Sequence, residues 1–102
     1  MGKIMEQTVF SVSEINREVK MFLEGTRTFK NIFIEGELSN ITYYRSGHLY
    51  FTLKDSNASV KCAIFRYKYR NVPEDLKEGD SVKIRGNVTL YEANGSYQIV
   101  AD

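Results

Sequence analysis

The chain has 102 residues, fourteen of them basic and thirteen acidic, for a net charge of +1. Its 42% apolar and 26% charged content excludes a disordered chain, which lacks the apolar surface to offset chain entropy. The length fits a single domain, no apolar run is long enough to span a membrane, and the lone Cys62 excludes an internal disulfide.

Residues 1–7 carry no long apolar stretch, so no secretion signal is read there and a cytoplasmic setting is expected. The first element is a helix over about 12–24. Ser11 and Glu14 have capping-box spacing, and Phe10 and Ile15 have the spacing of a hydrophobic staple. Ile15, Val19, Phe22 and Leu23 recur at helical spacing, while Glu14, Arg17, Glu18 and Lys20 form a solvated face. Gly25 is the expected stop, because glycine tolerates the left-handed conformation of a helix end.

After Lys30 the pattern has the period of strands. Ile32, Ile34, Gly36 and Leu38 alternate with Phe33, Glu35, Glu37 and Ser39, and a loop is expected over residues 40–47. Leu49, Phe51 and Leu53 define the second strand, followed by a turn over Asp55–Ala58. Val60, Cys62 and Ile64 define the third. A short helical turn is expected over Val72–Leu76. Val82, Ile84, Gly86, Val88 and Leu90 define the fourth strand. Asn94-Gly95 is a hairpin signal, and a fifth strand runs from Ser96 to about Ala101.

Five strands with Gly36 and Gly86 as bending points predict an all-β fold, a five-stranded Greek-key OB-fold barrel preceded by one N-terminal α-helix. An SH3-like barrel is the main competitor, but it lacks the long connection after strand three. The expected layout is an N-terminal segment over residues 1–29 and a barrel over residues 30–102.

Charge is unevenly spread. From Tyr43 to Arg70 there are six basic residues and one acid, Asp55, whereas the remainder holds eight basic and twelve acidic residues. Seven of the thirteen aromatics fall in the same stretch. Cations interleaved with aromatics suit single-stranded nucleic acid, because cations neutralise phosphates and flat rings stack on bases. The competing reading is that the rings are core and the cations a solvated face.

Successive side chains on a strand point to opposite sides. With the aliphatic set inside, the outer face of strands two and three carries Tyr50, Lys54, Lys61 and Phe65. Strand four shows Arg85 on its outer side. The flanking loops carry Tyr43, Tyr44, Arg45 and then Tyr91 and Asn94. OB-folds bind oligonucleotides on this face. Phe65, followed by Arg66, is the leading stacking residue; the alternative packs it under the connection at residues 71–76 or against the helix. The alternative for Tyr50 is a cross-strand pair with Phe33 or a neighbour.

The runs Glu35-Gly36-Glu37-Leu38-Ser39-Asn40 and Ser46-Gly47-His48-Leu49-Tyr50-Phe51-Thr52-Leu53-Lys54-Asp55 are long and specific. With Leu90-Tyr91-Glu92, Gly95-Ser96-Tyr97-Gln98 and the opening Phe10-Ser11-Val12-Ser13-Glu14-Ile15-Asn16, the chain resembles the N-terminal domain of exodeoxyribonuclease VII large subunits, from about Phe10 to Val100. The resemblance implies an OB-fold that binds single-stranded DNA for a nuclease cutting such DNA into oligonucleotides. It also implies a small-subunit partner, reached through parts of the large subunit that this chain does not contain. The catalytic domain would lie in those parts, so the chain alone is expected to be inactive.

The residues assign no catalytic group, no metal and no cofactor. Glu35 and Glu37 share a strand face and could hold a divalent cation, but a salt-bridged pair near Lys83 or Arg85 is the favoured reading. His48 belongs to the shared motif and is read as a brace for the loop after strand one, with DNA contact as the weaker option. Candidate nucleic-acid residues are therefore Tyr44, Arg45, His48, Tyr50, Lys54, Lys61, Phe65, Arg66, Arg85 and Tyr91. A competing function is a docking domain with little DNA affinity that forms a homodimer or contacts the catalytic domain, its aromatic surface serving that contact. A free-standing module for RNA or oligosaccharide is a third, which the motifs argue against.

Overall fold

A computed structural model describes residues 7–70 and 72–102. Residues 1–6 of the expected N-terminal segment, and Asn71 in the connection after strand three, lie outside the described residues. Helix α1 spans Val12–Gly25, and strands β1 to β5 span Ile32–Tyr43, Leu49–Lys54, Ser59–Ile64, Ser81–Tyr91 and Ser96–Ala101. The strands form a closed barrel in the order β1-β2-β3-β5-β4. All neighbouring pairs are antiparallel except β3 with β5. This is the five-stranded OB-fold with its preceding helix.

Alternation fills the barrel. Leu38, Leu49, Phe51, Leu53, Cys62, Ile64, Val88, Ile99 and Ala101 make one buried cluster. Burial pushes the Cys62 thiol up to about 12, because a thiolate loses its hydration there. Ala63, which alternation places on the outer face, is also fully buried; it sits between its cross-strand partners Tyr50 and Val100.

Two glycines mark the corners. β1 pairs with β4 from Ile32 to Glu37 and with β2 from Glu37 to Tyr43. The change of partner falls beside Gly36, where a Cβ would meet Leu53 Cγ at 2.7 Å. β4 changes partner from β1 to β5 at Gly86. A Cβ there would collide with the Val100 carbonyl oxygen and lie 2.9 Å from Ala101 Cα. Both obstacles at Gly86 are backbone, so no rotamer change relieves them.

Three expectations are corrected. β1 continues through Asn40 to Tyr43 rather than ending at Ser39. It does so by a bulge between Ser39 and Thr42, with Asn40 in the left-handed region at φ 53°. The Glu78 carboxylate accepts from the freed Ile41 N–H at 3.2 Å, which is why the chain stays extended where polar residues suggested a loop. The Val72–Leu76 stretch holds no helical turn; a 3₁₀ turn forms earlier, at Tyr67–Tyr69. Proline and its neighbours favour extended backbone before it, and the turn over residues 78–80 is tied to β1 by Leu38 N–H to Asp80 O at 2.9 Å and Gly79 N–H to Leu38 O at 2.8 Å. Gly25 is the last helical residue rather than a left-handed stop, and Thr26, extended, begins the next 3₁₀ turn.

The capping box of α1 forms as expected, with Glu14 N–H to Ser11 Oγ at 3.0 Å and Ser11 N–H to Glu14 Oε1 at 2.7 Å. The apolar face of the helix is not buried: Ile15, Val19 and Phe22 are exposed, and only Leu23 packs on the barrel core. The helix instead meets the barrel with its polar side. Lys20, expected to be solvated, pairs with Glu92 at 3.3 Å, and Glu24 accepts from the Thr89 hydroxyl. No helix among the described residues is long and apolar enough to cross a membrane.

Two outcomes follow from this packing. Gly86→Ala is expected to lower stability by about 3 kcal/mol, the upper part of the overpacking range, read as a drop in the urea midpoint. Cys62 is expected to resist iodoacetamide at pH 8 in the native protein and to react once urea unfolds it. Its raised folded pKa also makes stability fall as pH rises above the ordinary thiol value of 9.0, since the folded state then holds a proton the unfolded chain has lost.

Candidate nucleic-acid interface

The outer face of β2 and β3 carries a connected set of rings. Tyr44 and Tyr50 meet edge to face at 5.2 Å between centroids, Tyr50 and Phe65 at 6.3 Å, and His48 and Phe65 at 5.0 Å. Edge-to-face contact satisfies the ring quadrupoles, and Tyr44 and Tyr50 stay exposed while Phe65 is half-buried. Phe65 lies against His48 and Tyr50, and the cross-strand partners of Tyr50 are its neighbours Thr42 and Ala63 rather than Phe33.

One backbone feature sets this cluster. Arg66 has φ 54°, in the left-handed region, and its N–H donates to His48 Nδ1 at 3.1 Å. Nδ1 is thus an acceptor, and the proton of a neutral ring sits on Nε2. The Tyr67 N–H then donates to the Gly47 carbonyl at 2.9 Å, and the Tyr67 ring meets Tyr43 at 5.1 Å. The Tyr43 hydroxyl is held above its ordinary range by burial, then by Tyr67, Asp75 and Glu74. His48 also holds its own loop, accepting from Tyr44 N–H at 2.9 Å through its carbonyl. Its ring thus braces the exit of β3 and its backbone carbonyl the loop after β1.

A groove of about 310 Å³ runs beside the cluster, walled by Tyr50, Lys61, Phe65, Tyr91, Asn94, Ser96, Tyr97 and Gln98. Its floor comes from the parallel pairing that puts Gln98 opposite Lys61. Its rim is the β4–β5 turn, and α1 holds that turn: Asn16 Nδ2 donates to the Glu92 carbonyl at 2.9 Å. Glu92 also carries the ion pair with Lys20. The polar side of the helix thus fixes the loop that bears Tyr91 and Asn94.

Of the candidate residues, the fold gathers Tyr44, His48, Tyr50, Lys61, Phe65 and Tyr91 here. Arg66 stands at the edge, its guanidinium 5.2 Å from the Tyr69 ring centroid. Arg45 is exposed in the β1–β2 loop. Lys54 lies apart, at the far end of β2, with Nζ 4.0 Å from Glu37. Arg85 lies on the other side of the barrel, bound to Asp102 at 3.0 Å. Glu35 sits 3.7 Å from Lys83, so both carboxylates of the β1 pair have cations beside them. Tyr97 and Gln98 belong to the groove but were not among the sequence candidates. Extending the alternation rule into β5 places Gln98 outward, since Ile99 and Ala101 are buried; Tyr97 occupies the inward row but is exposed at the barrel end.

A small barrel with an aromatic, lysine-bearing groove across β2, β3 and β5 defines the class. Residues 10–102 match the family described as OB-fold nucleic acid binding domain, and the chain belongs to that family. Within it, the chain matches the N-terminal OB-fold region of exodeoxyribonuclease VII large subunits, as its motifs implied. It is 55% identical over 95 residues to the large subunit from Fusobacterium nucleatum, covering 93% of this chain and 24% of the relative. It is 44% identical over 98 residues to that from Pseudomonas aeruginosa, covering 96% of this chain and 21% of the relative. The chain thus spans less than a quarter of the length of these curated relatives. A replication protein A heterotrimer bound to single-stranded DNA shares the fold, with a TM-score of 0.58 at 8% identity over 71% of this chain and 52% of that one.

The His48 brace generates a direct test. His48→Ala removes the acceptor of the exposed Arg66 N–H in a left-handed turn and is expected to cost about 0.5–1.5 kcal/mol, the net worth of a hydrogen bond that water can replace. Amide exchange should then accelerate at Arg66 and Tyr67 while the core of β2 and β3 stays protected.

Proposed function

We propose that this chain is the single-stranded DNA-binding module of an exodeoxyribonuclease VII large subunit and presents DNA to a nuclease domain outside the sequence described. The observation that carries this reading is the Tyr44–Tyr50–Phe65 cluster on an exposed strand face beside a groove walled by Lys61. Open ring faces stack on bases of any identity, and the nearby cations draw in the backbone. The reading therefore implies no strong base preference. Cutting of the strand, association with a small subunit and a cytoplasmic setting belong to the same proposal, carried by the relationship to the large subunits. This domain itself takes no part in bond cleavage.

A second reading, a docking element that forms a homodimer or meets the catalytic domain, is favoured by the exposed apolar stripe of α1. Phe22 is 73% exposed and Val12 76%, more than a helix face usually shows to water. The two readings use different surfaces and are separable.

Fluorescence anisotropy with labelled oligo-dT tests the first. Binding is expected in the micromolar range or weaker, about −8 kcal/mol or less favourable, because the basic stretch is offset by acids elsewhere. Affinity should fall steeply with salt. Phe65→Ala should weaken binding by about 1–3 kcal/mol without altering the sedimentation of the protein. Salt-insensitive binding, or a Phe65→Ala protein that binds as well as the parent, would overturn the proposal. Phe22→Ser, on the helix stripe, should leave DNA affinity unchanged.

A further inference from the structure

Beyond the β2–β3 face, the barrel has a second and larger groove, of about 650 Å³, at the end bounded by β1, β4 and the connection after β3. Its floor is apolar barrel interior, including Phe51 and Ile64, and its walls include Phe33 and Tyr69 with Arg70, Lys83 and Arg85. Its volume lies in the range of about 300–1,000 Å³ typical of ligand sites. None of the proposed chemistry of the first face uses it.

Phe33 is 65% exposed and Tyr69 82%. An apolar ring left so open beside cations has no role in the core. Among the described residues, no carboxylate lies in ion-pair contact with Arg66, Lys68 or Arg70. Lys83 is paired with Glu35 in a largely exposed pair, which holds its cation weakly, and Arg85 with Asp102 in a half-exposed one. The groove therefore combines aromatic platforms with mobile positive charge, which is the requirement for a single strand.

The two grooves are also joined. The left-handed turn at Arg66 redirects the chain from the Phe65 ring into the 3₁₀ turn that carries Tyr69. Arg66 lies over the Tyr69 ring at 5.2 Å. Arg70, which walls the barrel-end groove, reaches back to donate from Nε to the Phe65 carbonyl at 3.3 Å. Cations thus line the route from one set of rings to the other. An apolar peptide would fill the floor of the groove but has no use for this basic route.

We propose that the barrel-end groove is a second contact surface for the same DNA strand, which passes from Phe65 along Arg66 and Arg70 to reach Tyr69 and Phe33. This rests on the reading of the first face as a single-strand site. It predicts a site longer than one strand face and a binding energy that grows with oligonucleotide length in two stages.

The test is anisotropy of this chain with oligo-dT of about 6 and about 16 nucleotides, lengths within the roughly 4–16 nucleotides bound per OB-fold. Tyr69→Ala and Phe33→Ala, both at exposed rings, are expected to weaken binding of the long oligonucleotide about 5- to 20-fold each and to leave the short one unchanged. Tyr69→Phe, which keeps the ring, should restore the parent affinity. The parent should also show a steeper salt dependence with the long oligonucleotide, by about 0.7 in the log–log slope per added phosphate contact. Unchanged long-oligonucleotide binding by Tyr69→Ala and Phe33→Ala, with Phe65→Ala still defective, would overturn this proposal alone. Absence of parent binding at both lengths would overturn the reading of the first face and this one with it. A change in sedimentation of Tyr69→Ala without a change in DNA affinity would assign the groove to a polypeptide and overturn the proposal.

Discussion

At Gly86 the backbone of β4 passes so close to the carbonyl of Val100 that no side chain fits between them. That approach is the point at which β4 leaves β1 and takes up β5, and the rest of the molecule depends on it. With β5 seated between β4 and β3, Gln98 comes opposite Lys61 and the outer groove gains its floor. The β4–β5 turn is then placed where α1 can reach Glu92 with Asn16 and Lys20. The position of a helix and the shape of a binding rim thus descend from one missing Cβ.

The aromatic face shows a second dependence, on a strained residue. A non-glycine residue at positive φ is costly, and Arg66 is held there by the ring of His48, just before β2, which accepts its N–H. The same ring packs against Phe65. One side chain therefore holds both a backbone conformation and the ring beside it. Such over-determination fixes the rings in place, and under the proposed function it would lower the entropy lost on binding a base.

Most of the barrel was legible in the chain because alternation and turn residues are local signals. The strand cores around Phe51, Cys62 and Val88 follow directly from period-two patterning, and Gly36 and Gly86 marked the corners. Errors arose where a distant group settled the local conformation. Ile41 stays extended because Glu78, far along the chain, accepts its N–H. Lys20 turns toward the barrel because Glu92 is there. The ring cluster of Tyr50 and Phe65 could be read from faces alone, whereas Lys54 and Arg85 share its outward parity but stand apart from it on the closed surface, paired with Glu37 and Asp102. Gln98 was missed because a parallel partner for the last strand leaves no mark in periodicity.

That last strand has a consequence for how the domain comes into being. β3 and β5 pair in parallel across more than thirty intervening residues, and contacts of such sequence separation form late in folding. On the ribosome, the rings of β2 and β3 emerge well before Ser96–Ala101, but they then have no groove beside them, only a bare strand edge. A nascent chain would acquire its outer groove in one step, when β5 leaves the exit tunnel and closes the barrel. Until then the unpaired edge of β3 is the part of the molecule most in need of protection from neighbouring chains.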